Sequence, residues 1–256
     1  MLRLTGTLRA LTAVAACYIT SAPAAVTTFY GLDQASGAGG AHPNSDAARA
    51  SFLAALSSAV VGVEDFEGDD TGSFLGGSRA LSFGGSGITG TLQSLGTLSG
   101  GIRQTGGGGF GEFAFSGTNW LDVGTRNNSD FFLLTLSSPI RALGFYGSSF
   151  SNYASVGSGP FPSIRVSIDD GEAIDVINIP PETVLDESAN FFGIISDTPF
   201  TTVRMINPIG TVNDGVGLDD IAIAAVPVPA TLVLFASGIA GLLGAHAARR
   251  TVRKKN

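Results

Sequence analysis

Glu64, Asp65 and Glu67 crowd one short stretch of the chain, and Asp219 and Asp220 crowd another. Grouped carboxylates supply hard oxygen ligands, which calcium takes together with backbone carbonyls. Successive strand residues face opposite sides of a sheet, so only one of Asp219 and Asp220 can point at a given site. Other chemistries are thinly provided. Histidine occurs only as His42 and His246, and Cys17 is the single cysteine. A serine, histidine and acid triad would have to recruit His42, and a zinc site of the usual His and Cys type is excluded by inventory. Glycoside hydrolysis needs two carboxylates about 5 to 10 Å apart. Glu112, Asp122, Asp130 and Asp175 are available for that, but nothing in their sequence context selects a pair. We therefore expect no catalytic residues. The glycine run 106–109 lacks the Lys and Ser or Thr of a phosphate-cradling loop, and no helix signal follows it.

A sugar would be bound by stacking on an aromatic face, with Asn, Asp or Arg bonding its hydroxyls. Trp120, Tyr146 and Tyr153 are the aromatic candidates, and Asn119, Asn127, Asn128 and Asn152 lie near them in sequence. A single tryptophan in a sandwich is more often core than platform. Tyr153 sits in a polar, Gly/Ser-rich stretch from Gly147 to Gly159, the kind of loop that carries function on a rigid scaffold.

The elements that must position these residues are mostly strands. From Val63 onward short apolar or alternating runs are separated by Gly, Ser, Asn, Asp and Pro. They include Phe113-Ala114-Phe115, Trp120–Val123, Phe131–Leu136, Ala142–Tyr146, Ile164–Ile168, Ala173–Ile177, Phe191–Ile195, Thr202–Ile206 and Gly217–Ile223. Asp170-Gly171 is the strongest hairpin signal. Many short strands at this spacing predict a mainly β fold, an antiparallel β-sandwich of jelly-roll type over 63–224. The preceding segment, 25–62, predicts one helix capped by Asn44 or Ser45, with Phe52, Leu53, Leu56 and Val60 on its apolar face. That face is expected to pack on the sandwich.

Both ends read as addresses. Arg3 and Arg9 precede an apolar run, Ala10 to Ile19, and Ala22-Pro23-Ala24 offers the small residues a signal peptidase needs. Residues 1–24 are thus expected to leave as a signal peptide, with the mature chain starting at Ala25. A rival reading takes Val14-Ala15-Ala16-Cys17 as a lipoprotein box with Cys17 lipidated. Either way the middle is exported, and without Cys17 it has no disulfide framework. All 21 acidic residues lie between Asp33 and Asp220 against seven arginines, a balance of −14 for the exported part. Nucleic acid and anionic lipid are poor partners for such a surface.

At the other end, residues 225–256 combine a proline-spaced motif (Val226, Pro227, Val228, Pro229), an apolar run over 230–248 and a basic tail over 249–256 that holds Arg249, Arg250, Arg253, Lys254 and Lys255. About 20 apolar residues cross a bilayer as a helix, and clustered Arg and Lys hold the following end on the cytoplasmic side. The arrangement resembles the PEP-CTERM sorting signal of Gram-negative bacteria, with Val228 where that family carries an acidic residue. The resemblance implies recognition by exosortase, a membrane protease or transpeptidase. It further implies a precursor held in the inner membrane and a product at the cell surface or in an exopolysaccharide matrix, as in a biofilm. The plainer alternative is a permanent membrane anchor.

The body of the chain also resembles lectin-like or carbohydrate-binding-module-like domains found upstream of such signals. The matching residues are Asp65-Phe66-Glu67-Gly68, read as part of an early strand, Pro139–Phe145, Phe191-Phe192-Gly193-Ile194 before Pro199-Phe200-Thr201, and Gly217–Ile221. The resemblance implies a non-catalytic module with polysaccharide as a partner. It also implies a structural calcium where the first and last strands meet, near Glu64, Glu67, Asp219 and Asp220. A secreted carbohydrate-active hydrolase is the alternative.

Overall fold

The structure, a computed structural model, describes residues 25–34, 36–57, 59, 61–73, 77–95, 100–104, 112–125, 132–149, 165–169, 171, 174–175, 187–206 and 214–225. In chain order the elements are β1 (Val26–Asp33), α1 (Pro43–Ala55), β2 (Val61–Glu64), β3 (Gly72–Ser73), β4 (Ser78–Phe83), β5 (Ile88–Ser94) and β6 (Gly100–Gln104). There follow β7 (Asn119–Thr125), β8 (Phe132–Ser148), β9 (Arg165–Ile168), β10 (Ile174–Asp175), β11 (Ala189–Ile206) and β12 (Asp214–Ala225). Every pairing among these strands is antiparallel.

Two long strands, β8 and β11, lie side by side and each serves two layers. Toward one end, β11 pairs with β1 on one side and with β8 on the other, and β12, β7, β2, β6 and β3 continue that layer. Toward the other end, β11 pairs with β9 and with the first residues of β8, and β5, β4 and β10 continue the second layer. Between the two, the β8–β11 register shifts from Ile195 to Phe200 and again before Thr202. Pro139 and Pro199 sit at that break. Proline removes a ladder donor and is confined to bulges and edges, so the sequence itself places the bend. Side chains of both layers meet in one core, Leu81, Phe83, Leu92, Leu134 and Val203 from one and Leu121, Phe145, Phe192, Leu218, Ile221 and Ile223 from the other. The result is an antiparallel β-sandwich.

Burial along β8 shows what covers each layer. Phe132, Leu134 and Leu136 alternate with half-buried or exposed residues, as on a sheet with one wet face. From Ile140 to Ser148 the strand is buried on both sides except at Arg141. The second cover is α1. Phe52 sits over Gly144 and Gly193, which face each other across β8 and β11. A Cβ would lie 2.8 Å from the Phe52 ring at Gly193 and 3.0 Å from it at Gly144, so only a bare pair lets the ring reach the sheet. Around it Phe52 meets Phe29 edge-on and Phe191 at a tilt, each with centroids 5.6 Å apart. Leu53 and Leu56 join the same cluster, as their spacing predicts. Val60 lies outside the described residues.

The start of α1 differs from expectation. Neither Asn44 nor Ser45 is the cap; Pro43 opens the helix and His42 precedes it without a side-chain capping bond. The buried Asp33 carboxylate, at the end of β1, accepts the Asn44 and Ser45 backbone N–H groups at 3.1 and 2.8 Å. An acceptor from a neighbouring element thus satisfies the free donors of the first turn. Residues 25–62 therefore supply β1, α1 and the start of β2 to the layer that later strands complete.

Three strand readings are corrected. Phe113-Ala114-Phe115 is not strand, and Asp65–Gly68 lies past the end of β2. Among the described residues, the runs at 132–136 and 142–146, and those at 191–195 and 202–206, are each parts of one bent strand. The hairpin expected at Asp170-Gly171 is present: Val166 pairs with Ile174, and Gly171 donates to the Ile168 carbonyl. Among the described residues no helix is long and apolar enough to cross a membrane. The segments 1–24 and 226–256, with both expected addresses, lie outside the described residues.

Candidate functional site

The most elaborate polar site is built where β12, β8, α1 and the 112–118 segment meet. Asp219 stands opposite Tyr146 and Ala222 opposite Gly144, so β12 carries one extra residue, Asp220, at φ +48. Such a bulge re-aims side chains. Leu218 and Ile221 both face the inter-sheet core, and Asp219 is left on the α1 side. There it is fully buried. Its Oδ2 accepts the N–H groups of Phe115 and Ser116 at 2.7 and 2.9 Å, and its Oδ1 accepts that of Asp220 at 2.7 Å. These bonds, with the mutual pair between Ser148 Oγ and the Phe113 backbone, fasten the 112–118 segment across the sheet. Burial pushes the Asp219 carboxyl up to about 7, against the amide bonds that hold it down.

Around this carboxylate lies a ring of aromatic and titratable groups. Phe115 stacks on Tyr146 at 4.6 Å, and the His42 ring stands edge-on to both at 5.3 and 5.7 Å. The Tyr146 hydroxyl donates to Asp46 Oδ1 at 2.6 Å, and His42 Nδ1 lies 3.0 Å from the same oxygen. Burial, with Asp46 accepting its proton, holds the Tyr146 phenol well above its ordinary range. Arg49 lies over the Tyr146 ring at 5.6 Å and reaches Asp220 at 3.5 Å, while Ser116 Oγ donates to Asp220 at 2.8 Å. His42, Asp46 and Arg49 follow one another at spacings of four and three, one helical face. That spacing was visible in the sequence. Their partners on β8, β12 and the 112–118 segment were not, because the bulge that turns Asp219 toward them leaves no mark in residue types.

The carboxylates expected to share a calcium ion point in different directions. Glu64 is paired with the core-facing Ile221 and so lies on the opposite side of the sheet from Asp219. It accepts the N–H groups of Ser82 and Phe66 at 2.9 and 3.1 Å, and burial raises its carboxyl against those bonds. Glu67 accepts the N–H groups of Thr118, at 2.7 Å, and of Asn119. Gly117, at φ +57, leaves room for it, since a Cβ there would lie 2.2 Å from the Glu67 carboxyl carbon. Among the described residues no group of three or more His, Cys, Asp or Glu side chains is placed to hold a metal ion.

Two of the aromatic candidates are buried. Trp120 is 1% exposed and Tyr146 4% exposed, so neither offers a face to a sugar in solution. Both are packed under neighbouring segments. Asn119 is turned inward and donates to the Phe66 carbonyl. Tyr153, Asn127, Asn128, Asn152 and Asp130 lie outside the described residues. Of the other carboxylates weighed for acid–base work, Asp122 is bonded to Arg103 at 2.9 Å and raised by burial, which the arginine opposes.

No known protein family model matches the chain, and no curated protein matches it. Among solved structures it is similar to the K2 cleaved adhesin domain of Lys-gingipain, with 16% identity and a TM-score of 0.36 over 64% of this chain and 98% of that one. It is also similar to a mutant family 29 carbohydrate-binding module complexed with mannohexaose, with 12% identity and a TM-score of 0.26 over 65% and 92%. Alignments this loose carry neither fold nor ligand across.

Proposed function

We propose that this protein is exported and works at the cell surface or in an extracellular polysaccharide matrix as a non-catalytic binding module of jelly-roll type. Signal peptidase removes residues 1–24. The precursor is held in the inner membrane by 230–248, and an exosortase-type protease acts at Val226–Pro229. The observation that carries the non-catalytic reading is the commitment of the carboxylates. Asp219, Glu64 and Glu67 are bound to backbone amides that fix loops, and Asp122 is bound to Arg103. Groups so engaged are structural supports. Polysaccharide is the ligand class we assign, with Tyr153 as its contact.

Two measurements on protein recovered from its host test this. Mass spectrometry of both termini, by cell fraction, should find a chain that begins at Ala25 and ends near Pro227 or Pro229 outside the inner membrane. Retention of Arg249 to Asn256 in the inner membrane would make the segment a permanent anchor. The recovered chain should co-sediment with insoluble polysaccharide and release no reducing sugar. Sugar release would make it a hydrolase instead.

A further inference from the structure

Among the described residues β1 has one strand neighbour, β11, and so forms an edge of its layer. Asp197, opposite Ala25, donates its N–H to the Ala25 carbonyl at 3.1 Å. From there the register runs unbroken from Val26 opposite Ser196 to Asp33 opposite Ala189. Hydrogen-bonded pairs alternate along an antiparallel ladder. Ala25, Thr27, Phe29 and Gly31 therefore turn their backbone groups to β11, and Val26, Thr28, Tyr30 and Leu32 turn theirs outward. The Leu32 carbonyl fits this parity, since it accepts the Asn44 side-chain N–H at 3.1 Å from outside the ladder. Val26, Thr28 and Tyr30 present their N–H and C=O groups beyond the edge, and no described residue takes them. The devices that blunt an edge are missing here: Val26–Leu32 holds no Lys, no Pro and no bulge. Thr27, Thr28 and Tyr30 are exposed, and Tyr30, at 37%, is the one exposed large apolar side chain among the described residues.

We propose that β1 pairs antiparallel with β1 of a second copy of this chain, about a two-fold axis at Thr28, so that one sheet runs through both copies. The outward set is self-complementary on that axis. Thr28 falls opposite the partner's Thr28, and Val26 falls opposite the partner's Tyr30. Each such pair exchanges two backbone bonds, and Thr–Thr and aromatic–β-branched contacts are favourable cross-strand pairs. Leu32 stays outside the new ladder, where Asn44 already holds its carbonyl. Two-fold pairing of one patch with itself is the commonest way identical chains associate. Charge favours the same edge. No residue from Val26 to Leu32 is charged, in a body whose balance is −14. Asp33, at one end, is buried and bonded to the start of α1. Asp197, at the other end, is exposed, but it lies on β11, one strand in from the edge. Two strand spacings, about 10 Å, then separate its row from the partner's β1, which is about one screening length at ordinary ionic strength. Nothing in this pairing depends on the polysaccharide reading or on the fate of the two termini.

The test is a thiol placed on the axis of the full chain, with Cys17→Ser, expressed in its host. Thr28→Cys sets two thiols on a hydrogen-bonded pair with Cα atoms about 5.5 Å apart, within the span of a disulfide. Thr27→Cys sets them two residues out of register, about 8 Å apart, beyond that span. Under mild oxidation, a disulfide-linked dimer several-fold more abundant at position 28 than at 27 supports the proposal. Equal yields at both positions, or none at either, overturn it. Thr28→Lys, at an exposed position, sets like charges against each other on the axis. With an unchanged circular dichroism spectrum, its sedimentation mass should be half that of the unsubstituted chain, and an equal mass overturns the pairing. Amide protection at Thr28 and Tyr30 should fall on dilution. Protection that survives dilution would show a segment of the same chain covering the edge, and overturns the proposal. A disulfide from position 28 to a different protein, with no homodimer, gives the edge to another partner and overturns it as well.

Discussion

Phe52 and Asp219 do opposite kinds of work for the same interface. Phe52 contributes by filling the hollow over Gly144 and Gly193. Its replacement by alanine leaves a cavity, and loss of a buried phenylalanine costs about 3–5 kcal/mol. Equilibrium denaturation of Phe52→Ala should show a drop of that order, with α1 exchanging its amide hydrogens faster. Asp219 contributes by holding a segment, and its burial has a pH signature. Its carboxyl is raised from 3.8 to about 7 in the folded state, so the folded protein binds more protons than the unfolded one between those values. Stability is therefore full below that window and falls as pH rises through it. Glu64 and Asp122, also raised, act in the same sense. The Asp219→Asn variant should flatten the fall between pH 4 and 7 in thermal melts, while losing about 1 kcal/mol throughout because one N–H bond is not replaced. An unchanged slope would move the titration to another group. At this scale the sequence singled out Asp219 and Tyr146, and the structure places both in a buried interface. Residue type showed a carboxylate and an aromatic ring; it did not show that each faces a buried interface.

The elements were more legible than their connections. Period and turn chemistry marked the strands from β7 onward, the helix and the hairpin at Asp170-Gly171, because those signals are local. What stayed hidden was non-local. Runs on either side of Pro139 and of Pro199 look like separate strands, since proline reads as a break, but each pair is one strand passing through a bend from one layer to the other. β1 was missed as a strand for a similar reason: its partner, β11, lies far along the chain. The same reach across sequence governs α1, whose first turn is satisfied by Asp33. Asp33→Ala should therefore destabilise the protein by about 1–2 kcal/mol, the scale of a lost cap, and hydrogen exchange should rise first at Asn44 and Ser45. Exchange that rises instead throughout β1 would mean that the residue serves the strand more than the helix.

At the scale of the molecule, backbone amides bonded to Asp219, Glu64 and Glu67 hold the described loops. Chelation should leave the thermal midpoint unchanged, and added millimolar calcium should leave it there as well. A rise with calcium would locate a cation among residues beyond the described ones, since binding to the folded state alone raises stability by mass action. The placement of β12 has a mechanical consequence. This last strand lies inside its layer, flanked by β8 on one side and by β7 and β2 on the other. Any load transmitted through Ala225, from a membrane tether or a covalent attachment, pulls the strand along its length. Hydrogen bonds on both flanks must then shear together, whereas an edge strand would unzip one bond at a time. The point of attachment is thus among the parts of the sandwich best placed to bear force.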